Sequence, residues 1–145
     1  MLNRSTAFGL LAGMSLAFGA AIAVANTPND LNVDMWNKQD GSQGITLGTD
    51  KVAAGTVNFV VHNSSTSETH EFLVLKTDLP VDAFADNADG TKIDETKLSG
   101  ITELGDLKPG ESGNLTLALT PGRYVVFCNQ EGHFHAGMFA QLTVN

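Results

Sequence analysis

Short runs rich in β-forming residues, many with alternating apolar and polar positions, recur along most of the chain. The run from Thr56 to Asn63 is typical, and turn signals such as Pro109-Gly110 and Pro121-Gly122 separate neighbouring runs. Several short strands joined by polar turns favour an all-β antiparallel sandwich of one domain over a helical bundle. The predicted strands cover residues 31–36, 45–47, 56–63, 70–75, 114–119, 123–128 and 139–144.

The segment from Asp78 to Asp106 breaks this pattern. It is long for a single connection, and it carries eight acidic residues against Lys92 and Lys97. The sequence therefore predicts a solvated flap, with a short helix around residues 81–88 or 94–98.

Residues 1–25 have the features of a secretory signal peptide. Arg4 precedes an apolar run, and Ala23-Val24-Ala25 gives a small-residue cleavage pattern before Asn26. The alternative is a membrane anchor, but the abundance of Ala and Gly and the small-residue exit favour removal. We therefore expect export to the periplasm, and a mature domain of residues 26–145 without stable membrane insertion.

The net charge excludes one class of partner. The chain carries a formal charge of −8, and without Arg4 seven basic side chains remain against sixteen acidic ones, which gives −9. Nucleic-acid phosphates would repel such a surface, whereas a basic protein partner would be attracted at low salt. We expect an acidic monomer that meets a basic partner.

The loop after residue 128 holds an unusual set of side chains. Cys128, His133 and Met138 recur every five residues. With this spacing the three side chains would not share one face of a helix or of a strand. A loop folded around an ion can bring them together. Thiolate, imidazole and thioether groups suit copper, and metal binding also accounts for a single cysteine in an exported chain.

One more histidine is needed to complete a mononuclear copper site. His70 shares its strand face with Phe72 and Val74, so its side chain should point into the sandwich beside the end of the Cys128 strand. The other two candidates are expected on an exposed strand face and in an exposed loop. These are His62 and His135.

The order and context of these residues resemble the cupredoxins, the small type 1 blue-copper proteins. The resemblance runs through His70-Glu-Phe and Tyr124-x3-Cys128-Asn-x2-Gly-His133-x3-Gly-Met138. The Cys-x4-His-x4-Met spacing is similar to that of the rusticyanin-like members. The resemblance implies a Greek-key sandwich with one copper ion at one end. It implies His70, Cys128 and His133 as equatorial ligands, and Met138 as a weak axial ligand.

Two positions depart from the plastocyanin and azurin pattern. Glu71 follows the first histidine where those proteins usually have Asn, and Asn129 follows the cysteine where Ser or Thr is common. The hydrogen bonds around the ligands should therefore differ. The resemblance also implies that His133 reaches the surface through a small apolar patch, here formed by Phe134, Ala136 and Phe139.

The resemblance implies a one-electron carrier that works with a redox protein such as a cytochrome or an oxidase. Copper capture or delivery in metal tolerance is the alternative. An oxidase or nitrite-reductase-like enzyme would need further histidines for a second copper, and only His62 and His135 remain. A structural zinc site is disfavoured because such a site usually takes four Cys or His ligands, and the candidate Met138 is neither. We therefore expect a carrier and not an enzyme.

Overall fold

The computed structural model of the protein describes residues 29–145, in which nine strands form two packed sheets. Residues 1–25, assigned above to a signal peptide, lie outside the described part. Two short 3-10 helices, Val81–Ala83 and Glu95–Lys97, interrupt the long connection of residues 78–106 that the sequence singled out. The strands are β1 Asn29–Asn37, β2 Gln43–Leu47, β3 Lys51–Val52, β4 Gly55–Asn63, β5 His70–Lys76, β6 Thr102–Leu107, β7 Ser112–Leu119, β8 Gly122–Phe127 and β9 Phe139–Val144.

The first sheet has the order β2-β1-β4-β7, and the second has the order β3-β9-β8-β5-β6. The predicted all-β sandwich is confirmed, and each of the seven predicted strands is present. The antiparallel pattern is broken by one parallel pair in each sheet, β1 with β4 and β3 with β9. The short β3 and the edge strand β6 were not predicted.

The main core lies between the two sheets. In β4 the side chains of Val57, Phe59 and Val61 are fully buried, and they alternate with more exposed positions. Phe59 meets Phe72 of β5 across the interface, with ring centroids 5.6 Å apart. Complete burial of side chains of this size stabilises a fold by about 1.5–3 kcal/mol each, so this layer fixes the spacing of the sheets.

A second apolar cluster covers the outer face of the second sheet. Phe84 and Ile93, both from the long connection, are buried there against Leu73 and Phe127. The prediction of a solvated flap over residues 78–106 is therefore wrong for the inner side of this segment, because Phe84 and Ile93 are buried against the sheet. The predicted helices are present only as single turns, and the segment ends as β6.

No helix in residues 29–145 is long and apolar enough to cross a membrane.

Candidate metal centre

Two of the predicted ligands come together because β5 and β8 are antiparallel neighbours. His70 is the first residue of β5, and Cys128 directly follows the last residue of β8. Leu73 pairs with Phe127, so the start of one strand lies beside the end of the other. Both side chains are fully buried at this end of the main core.

The loop between β8 and β9 brings the remaining two candidates to the same end. The Cys128 N–H donates to the Met138 carbonyl at 3.0 Å, and the Met138 N–H donates to the His133 carbonyl at 3.0 Å. Gly132 and Gly137 have φ values of 77° and 93°, which residues with a Cβ rarely adopt. These turns explain why a glycine precedes both His133 and Met138. The Met138 side chain is fully buried in the main core.

Three donor atoms form a compact triangle. The Nδ1 atoms of His70 and His133 are 3.2 Å apart, and the Cys128 Sγ lies 3.4 Å from the His133 Nδ1 and 4.0 Å from the His70 Nδ1. The point equidistant from all three lies about 2.1 Å from each atom, which is similar to the zinc–nitrogen and zinc–sulfur bonds of about 2.0–2.3 Å found in proteins. The three donor atoms therefore lie close enough together to bind a single metal ion.

Burial controls the protonation of these groups. Burial and the neighbouring imidazole of His133 lower the pKa of His70 to about 4, and burial also lowers the pKa of His133. Burial raises the pKa of the Cys128 thiol to about 11, even though the Glu71 N–H donates to the sulfur at 3.3 Å. Near neutral pH the imidazoles are thus ready to bind a metal, whereas the thiol must first lose its proton.

The two residues that depart from the family pattern have different surroundings. Burial and the charges of neighbouring carboxylates, chiefly that of Glu95, raise the pKa of Glu71 to about 7. Asn129 is 2% exposed, and its side chain bonds to the backbone of Ile93 and to the Glu95 carboxylate. The sequence singled out positions 71 and 129, but it gave no signal for their partners in the long connection.

The surface around His133 differs from the expected apolar patch. His133 is half-buried and Ala136 is exposed, but Phe134 is buried. The Phe134 ring stacks on Phe84 with centroids 5.6 Å apart and an interplanar angle of 19°. The prediction of a patch that includes Phe134 is therefore wrong, because this ring packs into the second apolar cluster instead of lying on the surface.

The remaining histidines lie outside the triangle of donors. His62 is exposed on the first sheet, where its Nδ1 lies 2.8 Å from the Ser112 hydroxyl oxygen. His135 is exposed in the loop, with its Nε2 3.2 Å from the Asp86 carboxylate. Both positions agree with their predicted exposure.

The fold is similar to those of solved copper proteins. Auracyanin from the photosynthetic bacterium Roseiflexus castenholzii, in a dithionite-reduced form, has 25% identity and a TM-score of 0.53, with 82% of this chain and 98% of that chain covered. Rusticyanin from Thiobacillus ferrooxidans has 18% identity and a TM-score of 0.60, with 82% and 79% covered. Auracyanin B has 23% identity and a TM-score of 0.55, with 84% and 93% covered. No protein-family model and no curated protein sequence matches the chain.

The class of protein follows from the fold and the donors together. The two sheets are those of the cupredoxin β-sandwich, and the candidate donors have the residue types of a cupredoxin copper site. This combination supports one mononuclear type 1 copper ion in each chain.

Proposed function

We propose that this protein is an exported type 1 copper protein that carries single electrons between redox partners. His70, Cys128 and His133 would hold the copper ion, and the buried Met138 would supply a further, weaker thioether donor. The observation that carries the proposal is the triangle of three donor atoms around a point about 2.1 Å from each. Residues 1–25 would be removed during export, and residues 26–145 would act in the periplasm.

A bound copper ion supplies a one-electron couple between Cu(I) and Cu(II). The chain contributes a set of donor groups that is intermediate between the coordination that Cu(I) prefers and the coordination that Cu(II) prefers. Cys128 and His70 are fully buried, and glycine turns and backbone hydrogen bonds hold the His133 loop. A buried and preformed site of this kind excludes water and needs little rearrangement during electron transfer.

The exposed edge of the site suggests where a partner would dock. Of the three triangle residues, His133 is the one that is not fully buried, so it offers the shortest route to the surface. Acidic side chains lie close by, since Glu131 is in the same loop and Asp86 contacts His135. A basic redox protein, such as a cytochrome or an oxidase subunit, would fit this surface.

Copper titration of matched histidine variants tests the ligand assignment. We expect the unchanged protein and His62→Ala to bind one copper ion per chain with equal affinity, because His62 is exposed and its Nδ1 lies beside the Ser112 hydroxyl, outside the triangle of donor atoms. His70→Ala should bind copper at least about tenfold more weakly. Equal affinity in both variants would remove His70 from the proposed site.

Kinetic measurements separate a carrier from a copper-delivery protein. We expect rapid electron exchange between the oxidised and reduced holoproteins, and electron transfer to a basic cytochrome that slows as salt is added. A strong chelator should remove copper far more slowly than electrons exchange. If the chelator took the copper within the exchange time, sequestration or delivery would replace the carrier function.

A further inference from the structure

The residue after Cys128 ties the metal-site loop to the long connection. The Asn129 Oδ1 accepts a hydrogen bond from the Ile93 N–H at 2.8 Å, and its Nδ2 donates to the Ile93 carbonyl at 3.1 Å and to Glu95 Oε1 at 2.6 Å. The amide thus pairs with the Ile93 backbone much as a neighbouring strand would. This pairing requires a donor and an acceptor side by side, which an amide provides and a hydroxyl or a carboxylate does not.

Two further contacts attach the same stretch of chain to the connection. The Gly132 N–H, one residue before His133, donates to the Thr91 carbonyl at 2.8 Å. The Gln130 Nε2 donates to the Asp106 carboxylate at 2.7 Å. Residues 129, 130 and 132 therefore all form hydrogen bonds to the long connection.

The Asn129 contacts are the most shielded of this set. Asn129 is 2% exposed and Ile93 is 3% exposed, so water does not compete for their hydrogen bonds. Because Asn129 directly follows Cys128 in the chain, fixing its amide against Ile93 restrains the backbone next to the residue that carries the sulfur. The contact therefore links the long connection directly to the position of the thiolate.

We propose that Asn129 is a positioning residue that anchors the chain between Cys128 and His133 to residues 91–95, and so holds the metal site preformed before copper binds. The proposal rests on the proposed function for the identity of the metal. The long connection then supports the metal site from outside by binding the loop that carries its ligands. Its acidic composition does not indicate this role.

Amide hydrogen exchange in the metal-free protein and copper affinity in the full chain test this proposal. Asn129→Asp keeps the shape but places a carboxylate against the Ile93 carbonyl and Glu95. We expect the Gly132 amide, which donates to the Thr91 carbonyl of the connection, to exchange at least about tenfold faster. We expect copper affinity to fall about 10- to 100-fold and the visible spectrum of the copper form to change.

A double variant with Asn129→Asp and Glu95→Gln supplies the rescue. A glutamine amide at position 95 can donate to the introduced carboxylate, so part of the copper affinity and of the Gly132 amide protection should return. Val57→Ala is the matched control, because Val57 is fully buried on β4 and pairs with Leu117, far along the strand from the end that approaches the site. It should weaken the fold while leaving the visible spectrum unchanged.

The outcomes separate this proposal from the proposed function. If Asn129→Asp behaves like Val57→Ala in copper affinity, spectrum and Gly132 exchange, or if the double variant recovers nothing, the anchoring role is wrong. If the unchanged protein itself binds no copper, the proposed function fails, and the exchange rates alone then decide whether Asn129 anchors the loop.

Discussion

Replacement of Phe84 by alanine tests whether the long connection is part of the core. Phe84 is 7% exposed, and its ring contacts Phe127 and Phe134 with centroids 6.2 and 5.6 Å apart. Truncation of a buried Phe costs about 3–5 kcal/mol, and lost aromatic pairs account for about 0.5–1.5 kcal/mol each. Because the cluster lies under a single covering segment that can partly collapse, we expect the lower end, about 3 kcal/mol.

Denaturant unfolding of the metal-free protein, followed by Trp36 fluorescence and circular dichroism, measures this loss. For a domain of this size about 3 kcal/mol lowers the melting temperature by about 12 °C. Leu79→Ala is the matched control, because Leu79 lies in the same segment and is 42% exposed. It should cost less than about 0.5 kcal/mol. Equal losses in both variants would refute the claim that the connection packs onto the sheet.

Three further predictions concern the site and its surroundings. Met138→Leu should keep the thiolate-to-copper absorption but raise the reduction potential, because loss of a donor disfavours the more highly charged ion; an unchanged potential would exclude an axial role. Calorimetry in buffers of different ionisation enthalpy should show that about one proton is released per copper ion bound near pH 7. Burial raises the pKa of Cys128 to about 11, so the thiol must lose its proton, whereas His70 and His133 are already neutral. Release of two or more protons would contradict these protonation states. Burial raises the pKa of Glu71 to about 7, so the metal-free fold loses stability as the pH rises from about 4.5 to 7. Glu71→Gln should therefore stabilise the fold more at pH 8 than at pH 4.5. Equal stabilisation at both pH values would show that Glu71 is not desolvated.

The sequence predicted the sandwich and the meeting of the candidate ligands for physical reasons that can be traced. The period-2 pattern placed His70 with Phe72 on the inner face, and the structure buries both. The equal spacing of Cys128, His133 and Met138 excluded a regular element, and these residues do lie on a turn-rich loop between strands.

The long connection could not be predicted in the same way. β6 carries two acidic residues and Gly105, and its pairing with β5 shifts register at Phe72 and Leu73, so no alternation marks it as a strand. β3 has only two residues, too few for a pattern. These short edge strands depend on tertiary pairing more than on their own residues.

The inward position of Phe134 and the partners of Asn129 also lay beyond sequence reasoning. Both depend on the path of residues 78–106 over the second sheet, and that path is set by contacts between segments far apart in sequence. Local pattern carries no information about such contacts, since Ile93 offers Asn129 only its backbone.

The visible absorption and EPR spectra of the copper-loaded protein test the central claim most directly, with Cys128→Ser as the matched variant. If the Cys128 sulfur binds Cu(II) beside two imidazoles, the oxidised protein will show intense thiolate-to-copper charge transfer, and the serine variant will lose it. A colourless oxidised holoprotein, or a band that persists in the serine variant, would contradict the account.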